Sequence, residues 1–180
     1  MEIVTYLDKV FSLFISKDEI NEILNKLALE VNKTYQDVNE DVILVSILDG
    51  SFIFMADLVR KLDFEFDIEF VKIRSYEGME STGDFELLLN LQIEIEGKHI
   101  LIIEDIVDTG LTIEKFIDKV KEMNPASVKV CSLLSKPEVH NDIINIDFVG
   151  REIPPAFVIG YGLDIDGKAR NLDGIYQLET

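Results

Sequence analysis

Cysteine, histidine and basic residues are all scarce in this chain, and each scarcity closes a class of function. Cys131 is the single cysteine. No internal disulfide is possible, and redox chemistry lacks a resolving partner. Its place in the apolar run Val128 to Leu134 predicts a buried structural thiol. The two histidines, His99 and His140, lack metal-ligand spacing and read as ordinary strand or loop residues. A G-x-S-x-G string is missing, which disfavours a serine hydrolase. No apolar run approaches the roughly 20 residues that span a bilayer. Met1-Glu2-Ile3-Val4 places no basic stretch ahead of an apolar one, so a cytoplasmic protein with no membrane partner is expected. Only 17 basic residues stand against 35 acidic ones, for a formal charge of −18. Generic attraction to nucleic acid is thereby disfavoured, and any anionic ligand needs a specific local site. Repeats, low-complexity tracts and Gly/Ser linkers are absent as well. One domain over residues 1–180 is expected, and a 47% hydrophobic composition suffices for its core.

What is present is a regular alternation of strand and helix signals. Ser16-Lys17-Asp18-Glu19 has the form of a capping box, and Ile20, Ile23, Leu24, Leu27, Ala28 and Val31 follow at helical spacing. Val42 to Leu48 is a β-branched apolar run suited to a strand covered on both faces, and Asp49-Gly50-Ser51 interrupts it. Phe52 to Leu62 then reads as helix and Phe64 to Arg74 as strand, before an exposed loop over Ser75 to Asp84. Leu87 to Ile95 and His99 to Ile103 read as two strands joined tightly through Glu96-Gly97-Lys98. A helix is predicted from Ile113 to Met123, stopped by Asn124-Pro125. Strands are predicted at Val128 to Leu134, Phe148-Val149 and Phe157 to Tyr161, with Pro154-Pro155 barring regular structure between the last two. The pattern predicts an α/β fold with an open, mainly parallel sheet flanked by helices, whose ligands bind where strands end in loops.

The stretch His99 to Thr112 carries the chemistry. A buried-type strand runs into Glu104, Asp105 and Asp108, and then into the small-residue turn Thr109-Gly110-Leu111-Thr112 at a helix start. Successive backbone N–H groups and two hydroxyls there can cradle a phosphate without net positive charge. A D-T-G-x-T string is also an ordinary helix cap. The adjacent Glu104-Asp105 pair argues for more than capping, because two neighbouring carboxylates beside an apolar strand repel each other unless hydroxyls, a cation or a metal compensate them.

Ile102-Ile103-Glu104-Asp105-Ile106-Val107-Asp108-Thr109-Gly110 resembles the phosphoribosyl pyrophosphate motif of the type I phosphoribosyltransferases. Further matches in order, from Val42 to Leu172, resemble the hypoxanthine-guanine branch. Leu48-Asp49-Gly50-Ser51 is similar to its pyrophosphate loop, Arg74-Ser75-Tyr76 with Ser81-Thr82-Gly83 to its flexible catalytic loop, and Leu133-Leu134-Ser135-Lys136-Pro137 to its base-contacting lysine segment. Phe157 to Asp164, followed by Arg170-Asn171-Leu172, is similar to its purine-stacking and metal segment.

The resemblance implies a Mg2+-dependent transfer from phosphoribosyl pyrophosphate to a 6-oxopurine, with a small hood formed by chain-end segments and a homo-oligomeric state. It implies Asp108 as general acid/base, with Glu104 and Asp105 at the ribose hydroxyls. Thr109, Gly110 and Thr112 hold the 5′-phosphate, and Leu111 adds a backbone N–H. Lys136 donates to the 6-oxo group, Phe157 stacks on the purine, and Val158 bonds its edge through the backbone. Asp164 joins Glu104 and Asp105 as a magnesium ligand, and Arg170 counters the leaving group's charge. Leu48, Asp49 and Gly50 form the pyrophosphate loop, with a cis peptide implied at Leu48-Asp49, while Ser75 and Tyr76 close over the site. Three departures stand out. Ile165-Asp166-Gly167 shortens the side chains expected before Arg170. Many relatives carry a basic residue where this chain has Asp49, and Pro155-Ala156 replaces a polar pair. Two rivals stay open: another acceptor such as xanthine or a pyrimidine, and a nucleic-acid-binding regulator of the same fold, which the missing basic face disfavours.

Overall fold

The strand His99–Val107 (β6) shows why an unbroken apolar run is needed at the centre of a parallel sheet. Its side chains alternate between two separate cores. Leu101 and Ile103 face one with Leu44, Phe54 and Cys131, whereas Ile100 and Ile102 face the other with Ile43, Val45 and Phe116. Both faces are apolar because both are covered. The computed structural model describes residues 2–75, 85–89, 91–141 and 143–179, and of residues 74, 75 and 85–89 the backbone alone.

Around β6 lie Val42–Leu48 (β3), Asp67–Ser75 (β4), Phe85–Leu89 (β5), Ser127–Ser135 (β7) and Phe148–Glu152 (β8), in the order β5-β4-β3-β6-β7-β8. All neighbours pair in parallel except β4 and β5. Helices Lys17–Tyr35 (α1) and Phe52–Val59 (α2) cover one face of the sheet, and Leu111–Lys121 (α3) covers the other. The capping box forms as expected: Glu19 accepts from the Ser16 amide at 2.9 Å, and the Ser16 hydroxyl accepts from the Glu19 amide at 3.3 Å. Cys131 is fully buried. Among the described residues no helix is long and apolar enough to cross a membrane.

A second sheet is built from the two ends of the chain. Ile3–Tyr6 (β1), Lys9–Ile15 (β2), Val158–Ile159 (β9) and Ile175–Leu178 (β10) pair antiparallel in the order β1-β2-β10-β9. Phe11, Ile159, Ile165, Ala169 and Tyr176 form its own small core. This is the hood that the family resemblance implied.

Three local expectations are corrected. The segment 87–95 is not one strand, and it makes no tight pair with β6. β5 ends at Leu89 and pairs with β4 at the sheet edge, so β4 and β3 stand between it and β6. Leu91, Ile93 and Ile95 instead pack against the Ile43–Val45 core, an extended crossing whose apolar alternation mimics a strand. Helix α2 stops at Val59 rather than Leu62, because Lys61 and Leu62 bond back three residues and tighten the chain. β4 begins at Asp67 rather than Phe64, because the rings of Phe64 and Phe66 are drawn into an aromatic cluster with Tyr35.

Candidate functional site

The carboxyl ends of β3 and β6 and the start of α3 enclose a cavity of about 250 Å³. Leu48, Asp49, Gly50, Glu104, Asp105, Asp108, Thr109, Gly110 and Thr112 line it, so nine of the residues singled out in the sequence converge there. Ile47, Ile73, Ile106, Val107 and Ile113 supply its apolar wall. Leu111 does not line it; its side chain is half exposed at the first position of α3. Gly110 is the N-cap of α3 with a φ of 79°, which turns the chain from the end of β6 into the helix.

The loop after β3 is pinned from both sides. The peptide bond between Leu48 and Asp49 is cis. Beneath, the Ser46 and Ser51 hydroxyls lie 2.7 Å apart. A Cβ added to Gly50 would sit 1.7 Å from Asp105 Oδ2, and one added to Gly162 would sit 2.0 Å from the Gly50 carbonyl oxygen. Gly162, with a φ of 100°, therefore needs glycine, a side chain at Gly50 would displace the Asp105 carboxylate, and the segment after β9 is held against the loop. Arg170 lies on that segment, donating to the Gly162 carbonyl at 2.7 Å and pairing with Asp164 at 2.8 Å. The second oxygen of Asp164 accepts from the Gly167 amide at 2.6 Å. Neither Asp164 nor Arg170 is part of the cavity lining.

Electrostatics in the cavity follow from burial. Glu104 is partly buried, and its Oε2 is wholly buried with no hydrogen-bond partner among the described residues. Burial, and next the charge of Asp105, hold the Glu104 carboxyl well above the usual glutamate range. Burial also raises Asp105, against the opposing pull first of the neighbouring Glu104 carboxyl, then of the Ile106 amide and Arg170.

Lys136 directly follows β7 with only 8% exposure, and its ammonium donates to Asp108 Oδ2 at 2.8 Å. The lysine amide bonds the Val107 carbonyl at 2.9 Å, which fixes the two residues side by side across the sheet. Phe157 is 47% exposed on the hood, its ring 6.2 Å from that of Phe11, and Val158 begins β9; neither lines the cavity. Ser75 closes β4 with only its backbone described, and Tyr76 and residues 77–84 of the expected loop lie outside the described residues. His140 is buried with its ring 3.0 Å from the Ser135 hydroxyl, and His99 bonds Ser127 at 2.7 Å.

Sequence reading missed Lys72. Its ammonium reaches both Asp49 oxygens, at 2.8 and 2.6 Å. β4 also carries Asp67, Glu69 and Arg74, so no pattern in the sequence set this lysine apart.

Among the described residues no three His, Cys, Asp or Glu side chains converge into a metal cage. Magnesium does not require one: it keeps several waters and takes one or two carboxylates together with substrate phosphates. The orphaned Glu104 Oε2 beside Asp105 is a hard oxygen donor of that kind, so the residues present fit such an ion.

The Phosphoribosyl transferase domain model matches residues 16–166. A hypoxanthine phosphoribosyltransferase of Buchnera aphidicola subsp. Schizaphis graminum is 42% identical over 161 residues, covering 89% of this chain and 91% of its own. A hypoxanthine-guanine phosphoribosyltransferase of Aquifex aeolicus is 38% identical, covering 95% of this chain and 96% of its own. The crystal structure of a Staphylococcus aureus hypoxanthine phosphoribosyltransferase superposes with a TM-score of 0.88 at 36% identity, over 93% of this chain and 91% of that one. With the strand-end carboxylates, the turn at α3 and the hood all in place, the chain belongs to the phosphoribosyltransferase family, in its hypoxanthine(-guanine) branch.

Proposed function

We propose that the chain transfers the phosphoribosyl group of phosphoribosyl pyrophosphate to hypoxanthine, guanine or both, giving the purine nucleotide and pyrophosphate. The observation that carries this reading is the Asp108 carboxylate, held by Lys136 at 2.8 Å directly before the turn that opens α3. An acid/base group, a donor for an oxygen-bearing ring and an anion cradle stand together.

In this reading the amides of Thr109 to Thr112 receive the 5′-phosphate, helped by the positive end of the α3 dipole. Glu104 and Asp105 accept from the ribose hydroxyls. The bond from C1 of the sugar to the pyrophosphate oxygen breaks, and its electron pair leaves with pyrophosphate. A purine ring nitrogen bonds C1 from the other side, and the ring N–H proton passes to Asp108. Lys136 leaves Asp108 to donate to the 6-oxo group, which a 6-amino base cannot accept. Phe157 on the hood stacks on the ring, and the Val158 backbone bonds its edge. Ser75 and Tyr76 close the site against water. Bound Mg2+ supplies neutralisation of the pyrophosphate charge, and Glu104, Asp105 and Asp164 are the residues to hold it. Arg170 faces the same leaving group. We further propose a single domain acting as a cytoplasmic homo-oligomer.

The test is nucleotide detection after mixing the protein with Mg2+, phosphoribosyl pyrophosphate and hypoxanthine, guanine or xanthine in turn. Nucleotide from hypoxanthine or guanine supports the reading. No product from any base, together with nucleic-acid binding at moderate salt, overturns it in favour of a regulator.

A further inference from the structure

Asp49 sets an acid into the loop that, in the reading above, meets the most highly charged part of the substrate. The cavity is already walled by Glu104, Asp105 and Asp108, and the chain carries a net −18. A bare carboxylate at position 49 would repel a pyrophosphate group. Asp49 is not bare. One ammonium, that of Lys72, engages both of its oxygens, at 2.8 Å and 2.6 Å. The parallel ladder fixes this meeting, because Lys72 stands opposite Leu48 in the register of β3 and β4, one residue from Asp49 along the chain. The following residue, Ile73, lines the cavity itself. The two partners are 40% and 48% exposed, so the pair adds little to folding stability. A half-exposed charge still matters to an anion arriving beside it, where no fold energy is at stake.

We infer that Lys72 is a positioning residue for the pyrophosphate end of the site: it holds the Asp49 carboxylate and cancels its charge, so that an acidic loop admits an anionic group. The inference rests on the proposed reading of the cavity. It places the positive charge on the strand next to the loop. Lys72 acts through Asp49 and needs no contact with substrate.

Steady-state kinetics of the full chain test this, with phosphoribosyl pyrophosphate varied at saturating hypoxanthine and Mg2+ and at two salt concentrations. Lys72→Met is expected to raise KM for phosphoribosyl pyrophosphate about tenfold with kcat little changed, and higher salt is expected to shrink the defect. Asp49→Asn alone is expected to lower KM for phosphoribosyl pyrophosphate, because it leaves the Lys72 charge unmasked beside the loop. The double variant Asp49→Asn/Lys72→Met is expected to return KM to near the wild-type value, since the loop again carries no net charge. An unchanged KM in Lys72→Met overturns the inference. A double variant as impaired as Lys72→Met also overturns it, because the lysine then contacts pyrophosphate itself. A wild type that forms no nucleotide removes the reading of the site and this inference together, whereas an active wild type with an unaffected Lys72→Met removes the inference alone.

Discussion

Lys136 and Asp108 form an ion pair 2.8 Å long in which the lysine is nearly buried while the aspartate side chain is half exposed toward the cavity. The two ends of the proposed chemistry, proton acceptance and recognition of the ring oxygen, are thereby linked before any ligand arrives. A ligand that draws the lysine away frees the carboxylate at the same moment.

Asp108→Asn keeps the shape of the side chain but removes its capacity to take a proton. Turnover is expected to fall by about 10²- to 10⁴-fold. Binding of phosphoribosyl pyrophosphate is expected to persist, because the amides of the adjoining turn are untouched. Rapid-quench turnover and equilibrium binding measured on the same preparation separate the two, and wild-type turnover in the variant would defeat the assignment.

Lys136→Met preserves most of the buried stem and deletes the donor. The ratio of kcat/KM for hypoxanthine over adenine is expected to drop by about tenfold or more, since the site loses the group that distinguishes an oxygen acceptor from an amine. A ratio equal to that of the wild type would place the oxygen-reading group elsewhere.

Glu104→Gln removes one of two adjacent buried carboxylates, of which Oε2 has no partner. The empty protein is expected to become more stable at neutral pH by about 1 kcal/mol, a rise of roughly 2–4 °C in Tm for a chain of this size. Activity is expected to fall in the same variant. Calorimetry without ligands beside an activity assay reads this trade, and a lower Tm would show that the charge is compensated in the empty site.

The capping box of α1 gives a pH signature remote from the cavity. The Ser16 amide and hydroxyl, then Arg151, hold the Glu19 carboxyl below the usual glutamate range. A lowered native value means that the unfolded state binds more protons, so stability rises with pH through this window. The contribution is present above about pH 4.3 and is lost as pH falls through the lower native value. Glu19→Gln should flatten that slope and cost roughly 0.5 kcal/mol at neutral pH, a small amount because the group is solvent-screened. Urea titrations from pH 3 to 7 on both proteins provide the comparison.

The parts of the fold that were legible in the sequence are those whose partners are close in the chain or whose surroundings are uniform. β3, β6 and β7 announced themselves as β-branched apolar runs because a strand covered on both faces has no polar side to interrupt it. The α1 cap was legible because it satisfies its own backbone within a few residues, and the turn from Asp108 to Thr112 because small and polar residues cluster there between strand and helix signals. The segment from Leu91 to Ile95 was misread because side-chain alternation reports which side is buried, not whether the backbone edges are bonded. β1, β2 and β10 gave little signal: Ile3 and Val10 are exposed, and β2 meets its partner β10 from the opposite end of the chain. Lys72 was invisible for a related reason. Its meaning lies in Leu48 across the ladder, a neighbour that only the sheet register supplies.

The close stacking of Asp105, Gly50 and Gly162 has a consequence for biogenesis. During synthesis all six strands of the main sheet emerge before Gly162, so the nascent chain can complete its scaffold while one side of the loop after β3 still stands uncovered. The proposed site is therefore completed late, when the stretch from Gly162 docks like a latch and brings Arg170 with it.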